Sequence, residues 1–247
     1  MAKPLRSPRS DDREMNSAAP KTADEGRGHG DEEGREHVVL VHGLLRTPRS
    51  WITVRRHLER SGFSTGVFGY SSLSGALEPH GRALSAELRR LDTRGRFARV
   101  HLVGHSLGNL VIRAALAHGR PESLGRVVML VPPNQGSPVA RRLAPLLGDL
   151  FPVLRDLSDA DESAARRLAF PPMEAGVIAA RFDHVVAESS THVPGEADHL
   201  LVGASHGWLM FRPSVQRAIV AFLRTGRFPR PSPPPPKSRR REERSSR

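Results

Sequence analysis

The sequence predicts an α/β fold with a mostly parallel sheet of about six strands and helices on both faces. Two observations lead to this prediction. Short apolar segments alternate with amphipathic segments along residues 37–228, which is the order typical of strands and crossover helices. Most of the short segments are apolar at successive positions, as expected for parallel strands that are buried on both faces. The length of this region suits one domain with a sizeable core.

The predicted elements follow from local composition. The strands are short and rich in Val, Ile and Leu, and glycine or proline follows most of them. They lie at residues 37–44, 63–72, 98–106, 126–133, 175–181 and 199–205. The segments between them carry apolar residues at helical spacing, and several begin at proline or end at glycine, the residues favoured at the two helix ends. These predicted helices lie at residues 47–62, 76–91, 107–119 and 213–226.

Both ends of the chain differ in composition from this domain. Residues 1–36 have few apolar side chains and both signs of charge, and residues 229–247 join a polyproline run to an arginine run. Both segments are therefore predicted to be disordered. The first lacks the apolar stretch of a secretory signal, and its acidic residues disfavour a transit peptide.

The chain contains no cysteine, which excludes disulfides, thiolate metal sites and cysteine nucleophiles. No apolar segment is long enough to span a membrane, so a cytoplasmic location is predicted. The net charge of +12 would suit a tail that binds nucleic acid or anionic lipid. A solvated tail explains it better, because no aromatic residues or nucleic-acid motif accompany the arginines. No nucleic-acid partner is therefore predicted, and the oligomeric state is left open.

The stretch VHLVGHSLGNLVIRAAL, residues 100–116, passes from a predicted strand into a predicted helix at Gly104–Gly108. A sharp strand-to-helix turn forces its central residue into a strained conformation, and the flanking glycines avoid clashes there. This pattern predicts a nucleophile elbow that exposes the hydroxyl of Ser106 near the positive end of a helix dipole. An ordinary tight turn that contains a serine is the alternative.

A serine nucleophile needs a base and donors for the oxyanion. In VHGLLR, after the first strand, Gly43 would let the backbone approach the elbow, so that the amides of Leu44 and Leu107 form an oxyanion hole. His206 follows the sixth strand and is the predicted base, whereas His42 is predicted to be structural and His105 to point away from the serine.

Four carboxylates precede His206 and could orient it. Asp183 directly follows the fifth strand and so lies at the carboxyl edge of the sheet, where the base is expected. Glu196 and Asp198 precede the sixth strand and would lie at its opposite end. Glu188 is the reserve candidate. The predicted catalytic residues are therefore Ser106, Asp183 and His206.

At these residues the chain resembles the α/β-hydrolase superfamily, and more narrowly the compact bacterial lipases and esterases of the triacylglycerol-lipase type. The matching stretches are VVLVHGLLRTPRSW, VHLVGHSLGNLVIRAAL, VVMLVPPNQGS, GVIAA, PGEADHLLVGASH and FLRTGRF. The resemblance implies a minimal α/β-hydrolase fold and a serine hydrolase that cleaves carboxylic esters without a cofactor. It also implies a catalytic triad in the order serine, acid, histidine. The position of the acid in the family corresponds to Asp183 of this chain. The segment before this acid is shorter than in the family, and His184 stands where the family often has glycine.

Residues 137–172 form an insertion between the fourth and fifth predicted strands. Its apolar run LAPLLGDLFPVL predicts one or two helices. We expect a small helical cap that lines an apolar acyl site, with Leu147 and Phe151 contacting the substrate. Plain packing of these helices on the sheet would produce the same pattern.

Other functions use parts of the same pattern. A thioesterase or an amidase would need the same three residues, because specificity is determined by the pocket. A catalytically inactive binding protein is suggested by the altered loop at Asp183. A metal hydrolase could use the run FDHVVAESSTHVPGEADH, but no pair of residues in it has the helical spacing of zinc proteases. No metal is therefore predicted.

Overall fold

The computed structural model describes residues 34–73 and 76–230 of the chain. Nearly all of the two predicted terminal segments, 1–36 and 229–247, lies outside the described residues. Six parallel strands form one sheet in the order β2-β1-β3-β4-β5-β6. The strands are β1 (Arg35–Val41), β2 (Ser64–Phe68), β3 (Phe97–His105), β4 (Leu124–Leu130), β5 (Ala175–Ala180) and β6 (Asp198–Val202). This sheet confirms the predicted fold class, and β1 begins two residues before its predicted start.

Helices cover both faces of the sheet. They are α1 (Ile52–Arg60), α2 (Leu77–Arg94), α3 (Leu107–Ala117), α4 (Pro138–Leu147), α5 (Val153–Asp156), α6 (Ala164–Arg167) and α7 (Pro213–Thr225). The side chains of β1 show why the strand is apolar throughout. Val39 and Val41 pack into the core under α2 and α3, whereas Val38 and Leu40 pack into the core under α1 and α7.

The strand order places a crevice at the carboxyl edge of the sheet. The chain runs from β1 outward to β2, and then returns to place β3 on the other side of β1. Loops that leave adjacent strands in opposite directions leave space between them, which is where open α/β sheets bind ligands. The loop after β1 and the turn after β3 are those that contain Leu44 and Ser106.

The insertion forms three short helices, α4, α5 and α6, rather than the one or two expected. Gly148 and Pro152 lie between α4 and α5, and both residues disfavour a continuous helix. Ser137 caps α4, since its hydroxyl accepts a hydrogen bond from the amide of Ala140 at 3.3 Å. The same hydroxyl donates to the carbonyl of Val185 at 2.6 Å, so the start of the insertion is tied to the segment after β5.

A buried arginine ties the other end of the insertion to α3. Arg113 has no exposed surface, and its guanidinium donates to the carbonyls of Asn134, Ala165 and Leu168. It also lies 3.8 Å from the ring centroid of Phe170. Burial lowers the pKa of Arg113 to about 10, so the side chain is charged at neutral pH and its hydrogen bonds are charge-assisted.

Within the described residues, no helix is both long and apolar enough to cross a lipid bilayer.

Two buried histidines make the fold sensitive to acid. His37 stacks on Phe97 with ring centroids 4.3 Å apart, and His105 is almost completely buried at the end of β3. Burial, with smaller contributions from nearby positive charge, lowers the pKa of His37 to about 4 and that of His105 to about 3. Below the ordinary value of 6.5 the unfolded chain therefore protonates both of these imidazoles, whereas the folded chain protonates them only at lower pH.

We expect the free energy of unfolding to fall between pH 6.5 and pH 5 by about 2 kcal/mol for each of these histidines, because each contributes about 1.4 kcal/mol per pH unit in this window. Urea unfolding at pH 7 and pH 5 measures the loss. The variant His37→Gln should lose about 2 kcal/mol less than the wild-type protein between the two pH values. Equal stability of the wild-type protein at both would contradict the burial of these neutral imidazoles.

Candidate active site

The turn after β3 has the strained geometry of an elbow. Ser106 has a φ of 51° and a ψ of −121°, a conformation that costs energy for any residue other than glycine. Its amide donates to the carbonyl of Leu130 at 2.9 Å. A Cβ atom on Gly104 would lie 2.3 Å from Oδ1 of Asn109, and one on Gly108 would lie 2.3 Å from the carbonyl oxygen of Val41. Both glycines are therefore required by close packing around the serine.

Asn109 holds this turn in place, and sequence reasoning missed it. The residue is fully buried, and its side-chain amide donates to the carbonyls of Ser106 and Leu130, each at 3.1 Å. It therefore connects the strained turn to the end of the neighbouring strand β4. The only sequence signal was a polar residue on the first turn of a helix that is otherwise apolar apart from Arg113.

A hydrogen-bonded chain joins Ser106, His206 and Asp183. Oγ of Ser106 lies 2.9 Å from Nε2 of His206, and Nδ1 of His206 lies 2.7 Å from Oδ2 of Asp183. Because a carboxylate only accepts, Nδ1 carries the proton and Nε2 presents its lone pair to the hydroxyl. The structure thus brings together three residues that are 77 and 23 positions apart in the sequence.

The carboxylate of Asp183 is held from both sides. Oδ1 accepts from the amides of Val185 and Val186, at 2.8 and 2.9 Å. Burial pulls its pKa upward, but the hydrogen bond and the charge of His206, with the two amides, outweigh burial and hold the pKa below its ordinary value. Asp183 is therefore ionised at neutral pH and can stabilise a positive charge on His206.

The other three carboxylates do not contact His206. Glu188 begins a 3-10 turn at Glu188–Ser190, Glu196 is bonded to His192, and Asp198 accepts from the amide of Phe228 at 2.7 Å. The carboxylate in the hydrogen-bonded chain at the serine is thus that of Asp183, which follows the carboxyl end of β5.

His105 contacts His206, a contact that the predicted orientation of His105 away from Ser106 did not include. Nε2 of His105 lies 3.0 Å from the carbonyl oxygen of His206, so this nitrogen carries the proton and donates. The two rings are 5.4 Å apart at their centroids. Since its pKa is far below neutral, His105 remains an uncharged donor that fixes the backbone of His206. Arg46 adds a second connection, donating to the carbonyl of Gly207 at 2.7 Å.

The loop after β1 lies against the elbow. A Cβ atom on Gly43 would lie 2.7 Å from Nδ1 of His105 and 3.1 Å from Cβ of Ser106, so only glycine permits this approach. Leu107 is the first residue of α3 and its amide has no acceptor within the helix. In the part of the chain that the structure describes, the amide of Leu44 donates no hydrogen bond to a turn or loop carbonyl. Of these two residues, Leu44 lines the cavity beside Ser106, whereas Leu107 is buried.

His42 is structural, as its position in the loop suggests. Its ring stacks on Tyr70 with centroids 4.3 Å apart, and its Nδ1 lies 3.1 Å from the carbonyl of Gly43. Tyr70 in turn donates its hydroxyl to the carbonyl of His42 at 2.6 Å. Burial lowers the pKa of His42, so a neutral ring supports the loop that carries Leu44.

A cavity of about 260 Å³ opens beside Ser106 and His206. The walls are mostly apolar, and most of the lining residues come from the insertion, the segment after β5 and the loop after β1. They include Val139, Ala140, Leu143, Leu154, Leu157, Val185 and Val186. Leu147 and Phe151, the two residues expected to contact the substrate, do not line this cavity. Residues one turn earlier on α4 and within α5 take their place.

No protein-family model matches the sequence, and no curated protein sequence matches it. Solved structures do resemble the fold. The Bacillus licheniformis lipase BlEst2 in its propeptide form matches with a TM-score of 0.62 and 16% identity, over 81% of this chain and 53% of that one. This chain thus spans about half the length of that lipase form.

Two further structures have nearly the same length as the matched region. A monoacylglycerol lipase of Paleococcus ferrophilus matches with a TM-score of 0.55 and 20% identity, over 78% of this chain and 97% of that one. A protein of Xanthomonas campestris, described as a candidate hydrolase of the alpha/beta superfamily, matches with a TM-score of 0.52 and 20% identity, over 77% and 99%. The chain has the α/β-hydrolase fold.

Proposed function

We propose that the protein is a serine hydrolase that cleaves carboxylic esters through a covalent acyl-enzyme. The observation that carries this proposal is the hydrogen-bonded chain from Asp183 through His206 to Ser106, at the carboxyl edge of the sheet and at the mouth of an apolar cavity. The similarity of the fold to lipases agrees with it. The resemblance of the sequence to bacterial esterases and lipases points to the same reaction.

The proposed reaction has two steps. Nε2 of His206 accepts the proton of Ser106 as Oγ attacks the ester carbonyl, and the histidine then protonates the departing alcohol. Water, activated by the same nitrogen, releases the acid and restores the serine. Asp183 keeps Nδ1 of His206 protonated throughout, so that the nitrogen facing the serine is always the one that exchanges the proton.

The amides of Leu44 and Leu107 are the proposed donors to the oxyanion. One comes from the loop that Gly43 brings against the elbow, and the other from the N-terminus of α3, where the helix dipole also favours negative charge. A pair of backbone donors held by two buried strands needs little reorganisation when the charge develops.

The cavity indicates the acyl side of the substrate. Most of its lining side chains are aliphatic, and its polar lining residues are Arg46, His105, Ser106, Ser137 and His206. It is therefore suited to a hydrocarbon chain whose carbonyl lies at the serine. We propose that α4 and α5 cover the acyl chain, which makes the insertion a small cap over the site.

A chain-length series tests this assignment. Leu143 lines the cavity, and Leu147, one turn later on the same helix, does not; the two side chains are similarly exposed, at 39% and 38%. In Leu143→Ser we expect KM for p-nitrophenyl octanoate to rise roughly tenfold, because part of a leucine contact is worth about 1.4 kcal/mol, with KM for the acetate little changed.

Leu147→Ser is the matched control, since it makes the same chemical change at the same exposure outside the cavity. It should leave both KM values near those of the wild-type protein. Equal effects of the two variants, or equal effects of Leu143→Ser on both esters, would show that the cavity does not hold the acyl chain.

A further inference from the structure

Two imidazoles and a carboxylate form a cluster apart from the residues that act on the ester. It consists of His192, Glu196 and His199, and one possible ligand atom from each lies within 4.8 Å of the other two. The imidazole rings are stacked with centroids 4.2 Å apart. Nδ1 of His192 lies 2.7 Å from Oε1 of Glu196. The proposed hydrolysis uses none of these side chains.

A tight turn brings the first two ligands together. The amide of Glu196 donates to the carbonyl of Val193 at 3.1 Å, with Pro194 and Gly195 between them. Gly195 has a φ of 71°, and proline followed by a residue with positive φ is the signature of a type II turn. Oε2 of Glu196 accepts from the amide of Val193 at 3.0 Å, which leaves Oε1 directed at His192.

The third ligand is fixed by a neighbouring hydroxyl. His199 lies on the edge strand β6, opposite Val177 of β5, and its Nε2 is 3.0 Å from Oγ1 of Thr191. That hydroxyl donates its own proton to the carbonyl of Glu188 at 2.7 Å, so it must accept from Nε2. The remaining nitrogen of His199, Nδ1, therefore carries a free lone pair. Such outer hydrogen bonds are what orient histidines as metal ligands.

We propose that His192, Glu196 and His199 bind one divalent transition-metal ion of the Zn²⁺ class. Two imidazoles and one carboxylate are a ligand set that Zn²⁺ accepts in tetrahedral sites, with water as the fourth ligand. The ion would take the place of the proton that lies between Nδ1 of His192 and Oε1 of Glu196, with the ring then carrying its proton on Nε2. Mg²⁺ and Ca²⁺ prefer oxygen ligands and are not expected to bind.

The ion would fix a segment that supports one wall of the cavity from behind. The carbonyls of Ser190 and Thr191 accept from the amide of Gln135 and the side chain of Asn134, at 3.0 and 2.8 Å. Those two residues follow Pro133, which lines the cavity. Bound metal would connect this segment to β6 at a second point, so we expect it to stabilise the fold.

The test is a Zn²⁺ titration of the full-length chain, free of any histidine tag and first treated with a chelator. Isothermal calorimetry should give one equivalent of Zn²⁺ bound and a rise in the melting temperature, with neither effect from Mg²⁺. The double variant His192→Ala/His199→Ala should lose at least about a hundredfold in affinity, while its melting temperature in chelator shows whether it is folded. Glu196→Gln retains an acceptor for the Val193 amide and should lose about tenfold in Zn²⁺ affinity. This variant replaces the double variant in the test if the double variant fails to fold.

His118→Ala is the matched control. His118 also pairs with a glutamate, since its Nε2 lies 2.9 Å from Oε1 of Glu78, but that pair belongs to none of the three-residue clusters found among the described residues. This variant should bind Zn²⁺ as the wild-type protein does. Absence of stoichiometric binding by the wild-type protein, or unchanged affinity in the His192 and Glu196 variants, would overturn the proposal.

Discussion

Replacement of Ser106 with alanine is expected to reduce ester turnover by up to about a millionfold, essentially to background. Removal of the nucleophile in related triads costs on this order, because no other group in the site can form the acyl-enzyme. Rates of p-nitrophenyl ester hydrolysis for Ser106→Ala and the wild-type protein measure the effect. The melting temperature should change little, since the variant removes only one oxygen atom.

Retained turnover would contradict the role of Ser106 if it persists in a variant prepared from an expression host without other esterases. The variant should still bind ester substrates, because the amides of Leu44 and Leu107 and the apolar cavity remain. A loss of both binding and folding would instead point to collapse of the strained turn, and the melting temperature distinguishes this outcome.

Replacement of Asp183 with asparagine is expected to reduce kcat by roughly ten-thousandfold, as in the serine-protease triads where this change has been made. The local hydrogen bonds give the reason. Because the amides of Val185 and Val186 both donate to one oxygen of residue 183, the asparagine must keep its carbonyl oxygen there. Its amino group then faces Nδ1 of His206, which has to accept. The proton moves to Nε2, and the histidine can no longer take the proton of Ser106.

Glu188→Gln is the matched control for this variant. It removes the charge of the reserve candidate without changing the hydrogen bonds at His206. We expect turnover close to that of the wild-type protein. Near-normal turnover in Asp183→Asn together with a large loss in Glu188→Gln would move the role of the acid to Glu188.

The sheet and the position of the elbow were predictable because each depends on local pattern. Apolar runs identify strands that are buried on both faces, and glycines at 104 and 108 mark a turn where side chains would collide. The end of the strand at which each carboxylate lies also explains why Asp183, rather than Glu196 or Asp198, lies beside His206. A residue that leaves the carboxyl end of a parallel strand reaches the same edge as the residues that leave its neighbours.

Contacts between distant segments were not predictable from pattern. The role of His105 depends on the position of the loop after β6, which approaches from 101 residues away. Arg113 lies on a helix where periodicity favours apolar residues, and it is buried because carbonyls of the insertion surround its guanidinium. Neither partner is apparent from residues near these side chains in the sequence.

The insertion shows the same limit. Leu143 and Leu147 have the same helical phase, so the sequence cannot tell which of them reaches the site. In the structure the chain turns between α4 and α5. Leu143, Leu154 and Leu157 line the cavity, and Leu147 does not. The cluster before β6 was overlooked for a related reason, since its ligands are joined by a turn and an edge strand rather than by helical spacing.

The central claim, that Ser106 forms the acyl-enzyme, is tested most directly by covalent labelling. The wild-type protein is incubated with a fluorophosphonate, and intact mass followed by peptide mapping locates the adduct. We predict one adduct per chain, on the peptide that contains Ser106, with labelling lost in Ser106→Ala and strongly slowed in Asp183→Asn. Absence of an adduct on the folded wild-type protein, or an adduct on another residue that persists in Ser106→Ala, would contradict the claim.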